Sequence, residues 1–140
     1  MCLSRLADFD CEVQEDGYIH AYKVVEFCED KDGYFGPCLT RHEYSIGENQ
    51  ANSSPYLILG VRKEESYRPG FHCFVSVNDY KNSWLGDQIY DNDNVILIKV
   101  RIKPEDIIAK GYEDNIDEFS KVLVAISMTI DSFEECDVLL

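Results

Sequence analysis

Positive charge is scarce in this sequence: 13 lysines and arginines stand against 27 aspartates and glutamates over 140 residues, a formal charge of −14. A surface of that sign is repelled by phosphate backbones and by anionic lipid. Neither nucleic acid nor a membrane is therefore expected as a partner. The one basic run, Lys99, Arg101 and Lys103, alternates along a single strand face and reads as a solvated face, not a phosphate track. Long apolar runs are missing too, and nothing approaches the roughly 20 residues of a membrane-spanning helix. The opening stretch MCLSRLADFDCEVQEDG sets Asp8, Asp10 and Glu12 where a secretory signal would be apolar. A cytoplasmic location is expected on these grounds. The six cysteines are then expected as reduced thiols, mostly buried as small hydrophobes.

The short motifs that carry chemistry are also missing. There is no G-x-G-x-x-G, no G-x-S-x-G elbow and no phosphate-cradling glycine loop, which argues against Rossmann dehydrogenases, esterase-type hydrolases and nucleotide-triphosphate hydrolases. No C-x-x-C pair exists; Cys28 and Cys38 lie ten residues apart, and His72 and Cys73 point to opposite faces of one strand. The stretch DNDNV at residues 91–95 begins like a calcium loop but lacks its later glycine and glutamate. No metal site and no resident cofactor are expected. Cys73, set between Phe71 and Val75 on its own face, is placed where a thiol is inert.

What is present is period-two alternation. GYIHAYKVVEFCED puts Ile19, Ala21, Val25 and Phe27 on one side and Tyr18, His20, Tyr22 and Val24 on the other, as in a central strand covered on both faces. EDKDG reads as a hairpin turn. RHEYSIG reads as a short strand ended by Gly47, and EESYRPG as a connection. FHCFVS reads as a strand running into a short helix, VNDYKNSWLG, capped by Ser76 or Asn78 and ended by Gly86. VILIKVRIK is the clearest strand. PEDIIAKG reads as one helical turn or a short helix with Pro104 first and Gly111 after its end. SKVLVAISMTI closes the fold as one strand with Val122, Val124, Ile126, Met128 and Ile130 on its apolar side. The sum is an α+β chain: an acidic lead-in over 1–17, a single compact domain over 18–130 and an acidic tail over 131–140. That domain is a mostly antiparallel, split β-sheet with one or two short helices.

The series AYKVVEF, HEYSIGE, PGFHCFVSVNDYKN, VILIKVRIKPEDIIAKG and SKVLVAISMTI resembles a group of short bacterial and phage proteins of unassigned function, across residues 18–130. That group is distantly similar to the split-sheet scaffold of ADP-ribosyltransferases of the His-Tyr-Glu class. The resemblance implies NAD as ligand. It matches His20 to the first-strand histidine that holds the nicotinamide-side ribose and Phe74 (or Phe71) to the aromatic residue that stacks on the nicotinamide. Glu118 is matched to the glutamate that polarises the ribose hydroxyl, and Tyr22 and His72 flank the same face. EFSKVL departs from the pattern, because its glutamate does not abut the strand directly. A scaffold without the full triad also suits a binding protein.

Two functions are therefore expected of these residues. The first is a non-enzymatic interaction or regulatory module, phage-encoded or intracellular, whose acidic surface meets a protein partner with a basic face. The alternative is an ADP-ribosyltransferase-like enzyme using a cleft around His20 and Phe74.

Overall fold

The computed structural model describes residues 3–36, 43–51, 59–60, 66–83, 94–114 and 119–136. Cys38, His42, Trp84, Gly86 and Glu118 lie outside the described residues. In chain order the strands are β1 (Arg5–Leu6), β2 (Ile19–Cys28), β3 (Gly33–Phe35), β4 (Glu43–Tyr44), β5 (Gly47–Gln50), β6 (Leu59–Gly60), β7 (Ser66–Tyr67) and β8 (Phe71–Phe74). A short helix, α1 (Val77–Lys81), follows, and then β9 (Val95–Ile102), β10 (Ile107–Asp114), β11 (Phe119–Ala125) and β12 (Ser127–Ile130). The result is a mostly antiparallel sheet with one described helix.

The main sheet runs β1-β10-β11-β8-β2-β9-β12-β5, with β3 pairing β2 and β4, while β6 and β7 form a separate hairpin. The strongest seam joins β2 to β9 from Ile19 opposite Ile102 to Glu26 opposite Val95. β11 and β12 stand four places apart in this order. On a flat sheet that would be about 19 Å, yet only Ile126 separates them in the chain, a reach under about 8 Å. The sheet must therefore coil back on itself, with residues 119–130 as one bent strand serving both sides. The corner is fixed by Ile126, whose N–H donates to the Asp106 carbonyl at 2.9 Å and whose carbonyl accepts from Ala51 N at 2.8 Å.

Coiling encloses one apolar face. Ala21, Val25, Cys73, Ile98, Val100, Leu123 and Met128 meet inside it. The outer face carries a second cluster of Val24, Phe74, Leu97, Val122 and Val124, covered by Leu3 and Tyr67 and by Val77 and Tyr80 of α1. Ser76 caps α1 by accepting from Asp79 N at 3.1 Å, as its hydroxyl at a helix start predicts.

Several elements differ from expectation. The closing strand breaks at Ile126, so alternation inverts there: Val122 and Val124 face outward, whereas Met128 and Ile130 face the enclosed core. PEDIIAKG holds only a 3-10 turn at Pro104–Asp106; its β-branched Ile107 and Ile108 start strand β10 instead. Gly111 lies inside that strand, not after a helix. A Cβ there would collide with the Arg5 carbonyl, so glycine admits β1 alongside. Gly47, at φ 100°, begins β5 where it was expected to end a strand. The connection EESYRPG contains β7. No described helix is long and apolar enough to cross a membrane.

Candidate functional site

β2 and β9 place four polar side chains on the outer face in register, with His20 opposite Arg101 and Tyr22 opposite Lys99. The two termini of the described chain pack against this quartet. His20 Nε2 lies 2.9 Å from Asp16 Oδ2, on the N-terminal segment. Arg101 donates through Nε and Nη2 to the two oxygens of Asp131, at 2.7 and 2.8 Å, and its guanidinium lies over the Tyr18 ring at 4.5 Å. Hydrogen bonds from His20 hold the Asp16 carboxyl below the usual carboxylate range, and those from Arg101 do the same for Asp131. The row Asp16–His20–Arg101–Asp131 thus ties the two segments together across the seam.

Two open depressions flank that row and share His20 and Lys99. The larger, about 490 Å³, is lined by the cations Arg101 and Lys99 and by Asp16, Asp131, Glu134 and Glu135. The smaller, about 430 Å³, is lined by Glu12, Gln14, Tyr22 and Ser76. Cys136, pinned by its N–H to the Leu97 carbonyl at 2.8 Å, sits at the edge of the larger one. Burial pushes its thiol up, away from the nucleophilic thiolate, although Lys99 pulls the other way.

A second polar group is sealed inside. Lys23 interrupts the apolar alternation of β2 and points into the enclosed core at 8% exposure. The register that sets Tyr22 against Phe74 carries Lys23 opposite Cys73. Its Nζ donates to the His72 carbonyl at 2.8 Å and lies over the Tyr44 ring at 5.9 Å. Desolvation pushes the Lys23 amine down, and it pushes the Cys73 thiol up to about 11. On the outer face His72 has its own set of partners. Nδ1 lies 3.1 Å from the Gly70 carbonyl, which can only accept, so Nδ1 carries the proton. Nε2 then accepts from the Tyr67 hydroxyl at 2.9 Å, and that hydroxyl accepts from Leu3 N at 3.1 Å. Burial, with Lys23 nearby, pushes this imidazole down to about 3.

The structure separates the residues that sequence grouped. His20 stands at the lip of both depressions and Tyr22 lines the smaller one. Phe74 is 0% exposed, packed edge-on against Tyr80, so neither of its faces is open to a ligand ring. His72 is buried and bonded through both ring nitrogens, and Glu118 lies outside the described residues. Sequence reasoning passed over Asp16, Lys23 and Asp131. Lys23 had a signal, a lone charge inside an apolar alternation. Among the described residues no group of three His, Cys, Asp or Glu could hold a metal ion. No protein-family model, curated protein or solved structure matches this chain.

Proposed function

We propose that this protein is a non-enzymatic interaction module that engages a partner with a basic surface through the acidic lining of the larger cleft. The observation that carries this reading is the convergence of two exposed acidic segments on one concavity. Asp16, with Glu12 beside it on the adjoining smaller depression, approaches from one side and Asp131, Glu134 and Glu135 from the other. Exposed carboxylates clustered in this way steer a basic partner and fix its orientation. The four described cysteines are free, which suits the reducing cytoplasm included in this proposal.

The expected outcome is a partner retained at low salt and released near 0.5 M salt, where the Debye length falls to roughly 4 Å. Glu12→Lys, Glu134→Lys and Glu135→Lys together should abolish retention. The same charge change placed elsewhere, Glu29→Lys, Asp30→Lys and Glu105→Lys, should preserve it. Equal loss in both variants would reduce the effect to net charge and sink the proposal.

A second reading places NAD in the same cleft, favoured by the position of His20 at the junction of the two depressions. It expects NAD to raise the melting temperature and His20→Ala to remove that rise. A melting temperature indifferent to NAD eliminates it.

A further inference from the structure

Far from the β2–β9 seam in strand order, β1, β10 and β11 carry an aromatic notch with a cation already in it. The register pairs Tyr112 with Lys121 and Asp114 with Phe119, which leaves Tyr112 and Phe119 as diagonal neighbours on one face. Their rings meet edge to face, centroids 4.8 Å apart at 82°. Arg5, opposite Tyr112 across the β1–β10 seam, lays its guanidinium into the angle, 4.5 Å from the Tyr112 centroid and 5.4 Å from that of Phe119. Asp114 Oδ1 lies 3.6 Å from Arg5 Nε. Two ring surfaces and a carboxylate are what recognises a planar, weakly hydrated cation.

Arg5 is a loose occupant of this notch. Its side chain is 49% exposed, and an exposed cation–ring contact and a 3.6 Å surface ion pair each hold it only weakly. Its strand is two residues long. Phe119 is 52% exposed, one of three large apolar side chains that the described chain leaves in water. Lys110 and Lys121 on the same two strands are engaged by the Phe9 ring, at 5.8 and 5.6 Å, and Lys110 also donates to the Phe9 carbonyl at 2.8 Å.

We propose that Tyr112, Phe119 and Asp114 form a receptor for an alkylguanidinium side chain, that Arg5 is its internal occupant, and that an arginine from a partner displaces Arg5. Phe9 packs on Tyr112 at 5.9 Å and stands between Asp8 and Asp10 in the chain, which sets exposed carboxylates beside the notch. The notch stands apart from the cleft reading, because a small probe tests it without any protein partner.

The probe is ethylguanidinium, with uncharged ethylurea as control, read by NMR shifts of the Tyr112 and Phe119 ring protons. Arg5→Ala, and independently Arg5→Gln, should give a saturable shift in the millimolar range, as expected of an exposed cation–ring site. The unaltered chain should respond several-fold more weakly. Phe119→Ala added to Arg5→Ala should abolish the shift while amide dispersion shows the fold intact. The cleft reversals at Glu12, Glu134 and Glu135 should leave the titration unchanged, which keeps the two proposals separable. No saturable shift in either Arg5 variant, or an equal response to ethylurea, overturns the receptor. An equal response of the unaltered chain overturns the displacement by Arg5.

Discussion

Acidification from pH 6.5 toward pH 3 is expected to remove on the order of 4 to 5 kcal/mol of folding stability through His72 alone. Its imidazole titrates near 6.5 in the unfolded chain and is pushed down to about 3 in the folded one, and each pH unit between them is worth about 1.4 kcal/mol. In that window the unfolded chain binds a proton that the folded chain refuses. Stability therefore rises with pH, is complete above 6.5 and is lost as pH falls toward 3. The physical cause is burial among apolar side chains, with Gly70 already holding the one proton the ring carries and Tyr67 donating to the bare nitrogen. His72→Gln retains an acceptor for Tyr67 but has nothing to titrate. Urea midpoints measured between pH 7 and pH 3.5 should fall far more steeply for the unaltered chain than for this variant. Parallel curves would mean that His72 is protonated in the native state.

The second large effect belongs to Lys23. A carboxylate at this position would face the His72 carbonyl, acceptor against acceptor, or would have to hold a proton at neutral pH. Lys23→Glu is accordingly expected to destabilise by about 3 to 5 kcal/mol, the range for an uncompensated buried charge. Lys23→Met should stay within about 2 kcal/mol, because the unpaired carbonyl is offset by removal of the buried amine. The pH signature separates this from simple packing. The amine's folded value lies below its ordinary 10.5. Between the two values the unfolded chain is the more protonated, and stability rises with pH. Cys73 opposes this above 9.0, where the unfolded thiol ionises and the folded one holds its proton to about 11. Cys73 is common to both chains, so the rise below pH 10.5 should appear in the difference between the unaltered chain and Lys23→Met. A fully tolerated Lys23→Glu would show that water reaches the enclosed core.

How much of this was legible in the sequence differs from strand to strand. β9 was readable because its alternation is strict and its wet face carries Lys99 and Arg101. β2 was readable as a strand covered on both faces, but the identity of the intruding Lys23 as a core residue depended on which face the fold enclosed. Alternation gives two faces without saying which is inside. β8 misled in the other direction. His72 and Phe74 are polar-aromatic in composition, yet Tyr67 and Tyr80 cover them; Tyr67 comes from a stretch that reads as a connection, and the sequence of α1 does not say which strand face it covers. Of the cleft, only His20 and Tyr22 were legible. Asp16 and Asp131 are 115 positions apart in the numbering, and only the pairing of β2 with β9 brings them to one row.

The bent strand at Ile126 also sets the order of events during synthesis. β2, β8 and β9 leave the ribosome well before residues 119–130, yet the coil they belong to has no fourth and fifth wall until that stretch emerges. A nascent chain halted short of Ile130 would expose the faces of Ala21, Ile98 and Val100 to water and to chaperones. Closure is thus a late, long-range step, and a stop codon or protease cut near the corner would dismantle the interior from both sides at once.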